Sequence, residues 1–174
     1  NKALVGEHKY DHVIERYLDT VRALGGEVDS IEFPMPAYVD AEKSIKHKLE
    51  SHGVDEDYVV VVPGARWIVK EWPLLNFGEL CIRLCESGKK VVIAGAPDDA
   101  EKGAFIENYV KNKNLANLVG STSMPELIEL IRHCEIFISA DTGPLHIANA
   151  LKRPLIALFG TTSPKRTGPY GGSH

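Results

Sequence analysis

One turn in the sequence has the residue types of an anion-binding site. The apolar run 136–139 predicts a buried strand, and Asp-Thr-Gly-Pro follows it at residues 141–144. Pro144 suits the first position of a helix, where its missing N–H costs nothing, and Thr142 or Gly143 can serve as the N-cap. Free N–H groups and the positive end of the helix dipole then face outward, an arrangement that binds phosphate. The turn therefore indicates a nucleotide or sugar-phosphate site, with Thr142 and Gly143 as phosphate contacts.

Charged side chains near this turn fit the same chemistry. His146 falls in the predicted first helical turn and can face the anion, with a packed helix residue as the alternative. Asp141 is itself an anion, so we expect it to face sugar hydroxyls or to cap the turn. Arg66 and Lys70 follow another apolar run, and each alone is typical of a solvated surface charge. As the only cations expected at this edge ahead of Lys165, they are the natural partners of a diphosphate.

Three acidic residues follow a further apolar run at 90–94. Asp98, Asp99 and Glu101 occupy the place where dinucleotide-binding folds put an acid on ribose hydroxyls. They also suit the start of a helix, whose dipole favours acidic side chains, and both interpretations stay open. The sequence contains neither G-x-G-x-x-G nor G-x-x-x-x-G-K-[ST], which excludes the standard dinucleotide fingerprint and the P-loop. The loop hydroxyls near Ser163 lack a G-x-S-x-G elbow, so hydrolase chemistry is disfavoured.

Alternating strands and helices must position these residues. From residue 58 onward, runs that are apolar at every position alternate with helical patterns, which predicts a parallel sheet covered on both faces. The expected class is a doubly wound, Rossmann-like α/β domain. In such sheets ligands bind beyond the carboxyl ends of the strands, where all of the candidate residues fall. Strands are predicted at 58–62, 90–94, 117–119, 136–139 and 154–159, and helices at 73–86, 100–111, 123–133 and 144–151.

The first 57 residues are expected to form a separate region with helices. Apolar positions at helical spacing predict a helix at 8–24, and a weaker pattern predicts another at 41–52. Residues 31–40 contain two prolines and predict a strand stub followed by a linker. Because the chain begins without methionine and ends after a glycine-rich turn, we expect a fragment. The expected division is an interdomain region at 1–57 and a nucleotide-sugar-binding domain at 58–174.

Composition narrows the function classes. The net charge of -4 at pH 7 argues against a nucleic-acid-binding surface. No apolar run approaches the roughly 20 residues of a membrane-spanning helix, and no signal-peptide pattern is present. The odd number of cysteines, Cys81, Cys85 and Cys134, predicts buried, reduced thiols in a cytosolic compartment. Cys81 and Cys85 would share a helix face, but no matching His or Cys pair accompanies them, so core packing is preferred over a metal site.

The candidate segments, in their order along the chain, resemble the bacterial heptosyltransferases, glycosyltransferase family 9. The specific parts are D-T-G-P-x-H-x-A at 141–148 and F-G-x-T-x-P at 159–164, and the similarity covers about residues 58–171. The resemblance implies the C-terminal half of a GT-B enzyme, in which two Rossmann-type domains face a cleft. That half would hold ADP-heptose for metal-independent, inverting transfer to the lipopolysaccharide inner core. The alternatives are another GT-B-like enzyme such as a nucleotide-sugar epimerase, or a non-catalytic nucleotide-binding domain.

The resemblance also implies roles for individual residues around the diphosphate. Lys70 would bind the diphosphate together with Thr142 and Gly143. His146 would lie near the phosphates, and Asp141 would contact the donor sugar. No cofactor or metal is implied.

The nucleoside and the acceptor complete this expectation. The loop at Ser121 and Thr122 would contact adenine through its backbone, and an acid among Asp98, Asp99 and Glu101 would hold the ribose. The family's catalytic base is expected in an N-terminal acceptor domain, and nothing in this chain matches that domain. We therefore expect these residues alone to bind the donor without transferring the sugar. The expected location is cytoplasmic, peripheral at the inner face of the bacterial inner membrane.

Overall fold

Five parallel strands form the sheet that the apolar runs predict. The computed structural model describes residue 8 and residues 10–171. The strand order is β3-β2-β1-β4-β5, and every neighbouring pair is parallel. The chain leaves β1 toward one edge and returns to the other through β4, so the topological switch point lies between β1 and β4. The strands are β1 (Tyr58–Val62), β2 (Lys90–Ile93), β3 (Leu115–Asn117), β4 (Ile136–Ala140) and β5 (Leu155–Leu158).

Helices pack on both faces of this sheet, as its largely apolar central strands require. Alternate residues of β1 enter two cores: Val60 and Val62 pack on one face, and Val59 and Val61 on the other. Two 3₁₀ turns, at Ile68–Lys70 and Pro97–Asp99, follow β1 and β2. The doubly wound α/β class is confirmed. The helices are α1 (Val13–Ala23), α2 (Val39–Ser51), α3 (Leu74–Glu86), α4 (Ala100–Val110), α5 (Met124–His133), α6 (Gly143–Ala150) and α7 (Pro164–Thr167).

Helix α2 precedes the strand–helix alternation but packs within the α/β layers. Its Ile45 and Leu49 are buried in the same core cluster as Val60 of β1 and Leu130 of α5. Burial of two large apolar side chains contributes roughly 3–6 kcal/mol to folding. The sheet is therefore covered partly by a helix from the first 57 residues.

The cysteines pack as predicted. Cys81 and Cys85 of α3 are buried in the core cluster with Phe77, and Cys134 is buried on the other face of the sheet. All three thiols are free. Burial raises the pKa of Cys81 to about 12 and that of Cys134 to about 11, so both thiols stay protonated and unreactive.

Several predicted boundaries are wrong. Strand β3 lies at Leu115–Asn117 instead of 117–119, because Leu115 and not Val119 takes the place opposite Val91. Residues 31–38 contain no strand, since prolines cannot donate to a strand ladder. Helix α1 occupies 13–23 instead of 8–24, and α2 begins at Val39 instead of 41.

The helix start at the anion-binding turn differs by one residue from its prediction. Thr142 is the N-cap, but its side chain makes no capping hydrogen bond. Gly143 is the first helical residue, so Pro144 takes the second position and not the first. Helix α5 begins with a capping box, in which Ser123 and Glu126 exchange side-chain and backbone hydrogen bonds.

Candidate functional site

A cavity of about 600 Å³ opens at the carboxyl ends of the central strands. This volume is within the range of small-molecule sites. A larger groove of about 980 Å³ lies at the amino end of β5, beside Pro154 and Tyr170, and carries none of the candidate residues. Residues 64–66, 95–99 and 122–124 form the walls of the carboxyl-end cavity, with Val62, Lys102, Leu127, Thr142 and Pro144.

Four of the predicted site residues line this cavity. Arg66 follows β1, Asp98 follows β2, Thr122 precedes α5 and Thr142 follows β4. They come together because parallel strands end at the same edge of a sheet. Gly143 is exposed at the start of α6, directly after Thr142. The helix N-terminus thus faces this edge of the sheet, as the anion-binding argument requires.

Lys70 and Asp141 form an ion pair next to the cavity. The Lys70 Nζ lies 2.7 Å from Asp141 Oδ2, and the Thr162 hydroxyl donates to the same oxygen at 2.7 Å. Burial works to raise the pKa of Asp141, but the hydrogen bonds from Lys70 and Thr162 hold it below its usual value. The carboxylate is therefore ionised. Its Oδ1 accepts no hydrogen bond from any described residue and is available to a ligand.

His146 lies in α6 within the field of this ion pair. Surrounding protein atoms lower the pKa of the His146 imidazole, Asp141 partly offsets this, and Lys70 and His12 lower the pKa further. The imidazole is consequently neutral near pH 7 and offers one donor and one acceptor instead of a charge. His146 is exposed on α6 and does not line the cavity. Its place near the phosphates stays a prediction.

A third cation was missed by the sequence argument. Lys102 lines the cavity and pairs with Asp99 at 2.8 Å and with Glu71. The expectation that Arg66 and Lys70 are the only cations at this edge is wrong, because it considered only residues that directly follow strands. Lys102 lies three residues after Asp99 in the first turn of α4, and helical side chains lean toward the helix N-terminus. The sequence did contain a signal for this pair, because Asp99 and Lys102 have the i, i+3 spacing of an ion pair on one helix face.

The pairing of Lys102 fixes the loop after β1. The Glu71 carboxylate also accepts a hydrogen bond from the Ala65 N–H at 3.1 Å. A Cβ on Gly64 would lie 2.3 Å from the Asp99 carboxylate, so a larger residue would displace this carboxylate from its present position. Glu71, Lys102 and Asp99 thereby link the loop after β1 to α4.

The three candidate acids have different surroundings. Asp98 is exposed, lines the cavity and makes no hydrogen bond or ion pair with any described residue. Asp99 lines the cavity but is occupied by Lys102. Glu101 is exposed and lies outside the cavity wall. Of the three, Asp98 is the carboxylate available to a ligand in the cavity.

The remaining predicted site residue, Ser121, makes its hydrogen bond to Lys48 through its backbone carbonyl. It is exposed and does not line the cavity, whereas Thr122, Ser123 and Met124 do. The Ser121 carbonyl accepts a hydrogen bond from Lys48 at 2.7 Å.

Among the described residues, no helix combines the length and apolar character needed to cross a membrane.

Comparison with known proteins gives a consistent result. The family model of glycosyltransferase family 9 (heptosyltransferase) matches residues 1–174, so the similarity extends beyond the expected 58–171. Lipopolysaccharide heptosyltransferase 3 of Escherichia coli K12 is 36% identical over 153 residues, 87% of this chain and 44% of that protein. The structure of E. coli ADP-heptose lipopolysaccharide heptosyltransferase II matches with a TM-score of 0.74 at 28% identity, covering 91% of this chain and 51% of that one.

A structure with bound nucleotide is also similar. The E. coli heptosyltransferase WaaC with ADP matches with a TM-score of 0.70 at 25% identity, over 98% of this chain and 50% of that chain. The chain spans about half the length of the relatives it matches.

Proposed function

The chain belongs to glycosyltransferase family 9, the heptosyltransferases, and we propose that it is the donor-binding part of an enzyme that transfers heptose from ADP-heptose to the lipopolysaccharide inner core. One observation carries the proposal: helix α6 begins at the cavity wall. Its N-cap Thr142 lines the cavity, and the residue before it, Asp141, is paired with Lys70. Helix N–H groups and a lysine are the groups that bind a diphosphate. The family match favours sugar transfer over the epimerase alternative.

The diphosphate is proposed to lie between the start of α6 and the cations of the loop after β1. Thr142 and Gly143 offer backbone N–H groups, and Lys70 and Arg66 offer charge. As the glycosidic bond breaks, negative charge develops on the leaving ADP, and these fixed donors stabilise it. Lys70 is already held by Asp141, so its ammonium is oriented before the ligand arrives.

The sugar and the ribose are proposed to bind at two carboxylates. Asp141 has its Oδ1 free for a sugar hydroxyl while Oδ2 holds Lys70 and Thr162. The neutral His146 would complete the polar surroundings of the sugar phosphate. Asp98, which has no protein partner among the described residues, would accept hydrogen bonds from the ribose hydroxyls. Adenine would meet the backbone of Ser121 and Thr122.

We propose that these residues taken alone bind the donor but do not transfer the sugar. The chain spans about half the length of its relatives, and the acceptor site and catalytic base are expected in their other half. Residues 1–57 would join that half to the donor domain at 58–174. The proposed setting is the cytoplasmic face of the inner membrane, where free buried thiols such as Cys81 stay reduced.

Calorimetric titration of the 174-residue chain with ADP, UDP, GDP and NAD tests this function. We expect ADP to bind with a dissociation constant at least about tenfold lower than that of each other nucleotide, a difference of about 1.4 kcal/mol. Preference for UDP would favour a different nucleotide-sugar enzyme. Equal affinity for all four would contradict a donor site for an ADP-sugar.

A further inference from the structure

A set of hydrogen bonds ties helix α2 to one wall of the cavity. The Lys48 ammonium on α2 donates to the Ser121 carbonyl at 2.7 Å and to Glu126 Oε1 at 2.6 Å. The Ser44 hydroxyl, one turn earlier on α2, donates to the same Glu126 oxygen at 2.6 Å. Two side chains of α2 therefore hold the start of α5 and the loop before it.

Glu126 is the centre of this set. Its Oε2 accepts from the Ser123 N–H at 2.7 Å and from the Ser123 hydroxyl at 2.9 Å. Burial works to raise the pKa of Glu126, but the bonds from Lys48, Ser44 and Ser123 lower it to about 2. The carboxylate is ionised at any physiological pH and makes short, charge-assisted bonds to the helix and to the loop.

The loop held in this way, residues 121–123, forms part of the cavity wall. Thr122 and Ser123 line the cavity, and the facing wall includes Pro97 and Asp98. Just before the loop, Gly120 has φ +72° and comes so close to Pro97 that a Cβ would lie 3.2 Å from the Pro97 Cα. The loop thus packs against Pro97 of the facing wall through Gly120, and Lys48 of α2 holds it by hydrogen bonds to the Ser121 carbonyl and to Glu126. We therefore expect the position of the loop to set the width of the cavity.

We infer that Lys48 and Glu126 are positioning residues that set the loop at 121–123 for the nucleobase. The inference rests on the proposed function, because it takes the cavity as a nucleotide site. Neither side chain lines the cavity, so both act through the loop. Among the described residues, no hydrogen bond joins Lys70 or the start of α6 to Lys48, Ser44 or Glu126. Affinity for the nucleoside part of ADP should therefore depend on Lys48, and affinity for the diphosphate part should not.

Titration of the 174-residue chain and its Lys48→Met variant with ADP and with inorganic pyrophosphate tests the inference. We expect the variant to bind ADP about tenfold more weakly and to bind pyrophosphate as the parent does. Lys48→Arg, which keeps a donor at the same place, should recover most of the ADP affinity. Lys43→Met is the matched control, since Lys43 is exposed on the same helix and makes no hydrogen bond or ion pair with a described residue.

The outcomes of these titrations separate the positioning role of Lys48 from the proposed donor site. Unchanged ADP affinity in Lys48→Met, or an equal loss for ADP and pyrophosphate, would overturn the positioning role and leave the donor-site proposal standing. Absence of ADP binding to the parent chain would overturn both. Ser44→Ala removes one bond to Glu126 from the helix surface and should give a smaller shift in the same direction. This second variant keeps the test decisive should Lys48→Met fail to fold.

Discussion

At the scale of single residues, the lysine that we propose for the diphosphate is already paired with a carboxylate. Lys70 and Asp141 are 71 positions apart along the chain and meet at 2.7 Å. The ion pair neutralises a buried carboxylate and at the same time orients the ammonium beside the start of α6. One aspartate oxygen carries Lys70 and Thr162, and the other remains free. The F-G-x-T-x-P turn therefore contributes Thr162 to the site through Asp141.

Lys70→Ala should weaken ADP binding by roughly 10- to 100-fold, since a hydrogen bond to a charged group contributes about 1.5–3 kcal/mol. Calorimetric titration measures the change. Lys113→Ala is the control, because Lys113 is exposed before β3 and has no partner among the described residues. An affinity equal to that of the parent chain would remove Lys70 from the diphosphate site.

The sequence predicted those site residues that directly follow a strand. Arg66, Asp98 and Thr142 line the cavity because the carboxyl ends of parallel strands share one edge, and a strand pattern is visible in the sequence. Lys102 was missed because it lies in a helix and reaches the cavity through its side-chain direction. The Lys70–Asp141 pair is a long-range contact, which no local pattern encodes.

At the scale of elements, the start of α5 is the most heavily bonded helix terminus of the site. Its capping box joins Ser123 to Glu126, and α2 adds Lys48 and Ser44 to the same carboxylate. The capping box was visible in the sequence as Ser123 with Glu126 three residues later. The bonds from α2 were not, because 78 positions separate Lys48 from Glu126.

Glu126→Gln should change how stability depends on pH. The pKa of Glu126 falls from an ordinary 4.5 to about 2 on folding. Its contribution of up to about 3 kcal/mol is therefore complete above pH 4.5 and is lost as the pH falls toward about 2. In urea unfolding, the variant should be less stable than the parent near neutral pH, and the difference should shrink as the pH falls from 4.5 to about 2.

Glu86→Gln is the control for this measurement, since Glu86 is exposed at the end of α3 and makes no hydrogen bond with described residues. A difference between Glu126→Gln and the parent that stays constant with pH would show that the carboxylate charge does not carry the stabilisation.

The strands were predictable because they are largely apolar runs between helical patterns, as a parallel sheet with helices on both faces requires. Only β3 shifted, where two apolar residues, Leu118 and Val119, follow the strand instead of forming it. Leu118 still extends the pairing by donating its N–H to the Ile93 carbonyl. The strand expected within 31–40 was wrong because its prolines disfavour pairing.

At the scale of the whole molecule, the topology brings the site together. The strand order places β1 and β4 side by side at the switch point. Arg66 and Lys70 follow β1, and the N-terminus of α6 follows β4. Helix α2, from the first 57 residues, packs in the same core and reaches the cavity wall through Lys48. The family model covers this region as well. The sequence pattern did not predict the packing of α2 on α5, because the residues that join the two helices lie far apart along the chain.

A crystal structure of the 174-residue chain with ADP tests the central claim most directly. The account predicts the diphosphate within hydrogen-bond distance of Lys70 and the backbone of Thr142 and Gly143, with the ribose at Asp98. ADP bound in the groove beside Pro154 and Tyr170, or in the carboxyl-end cavity without contact to Lys70 or the start of α6, would contradict it.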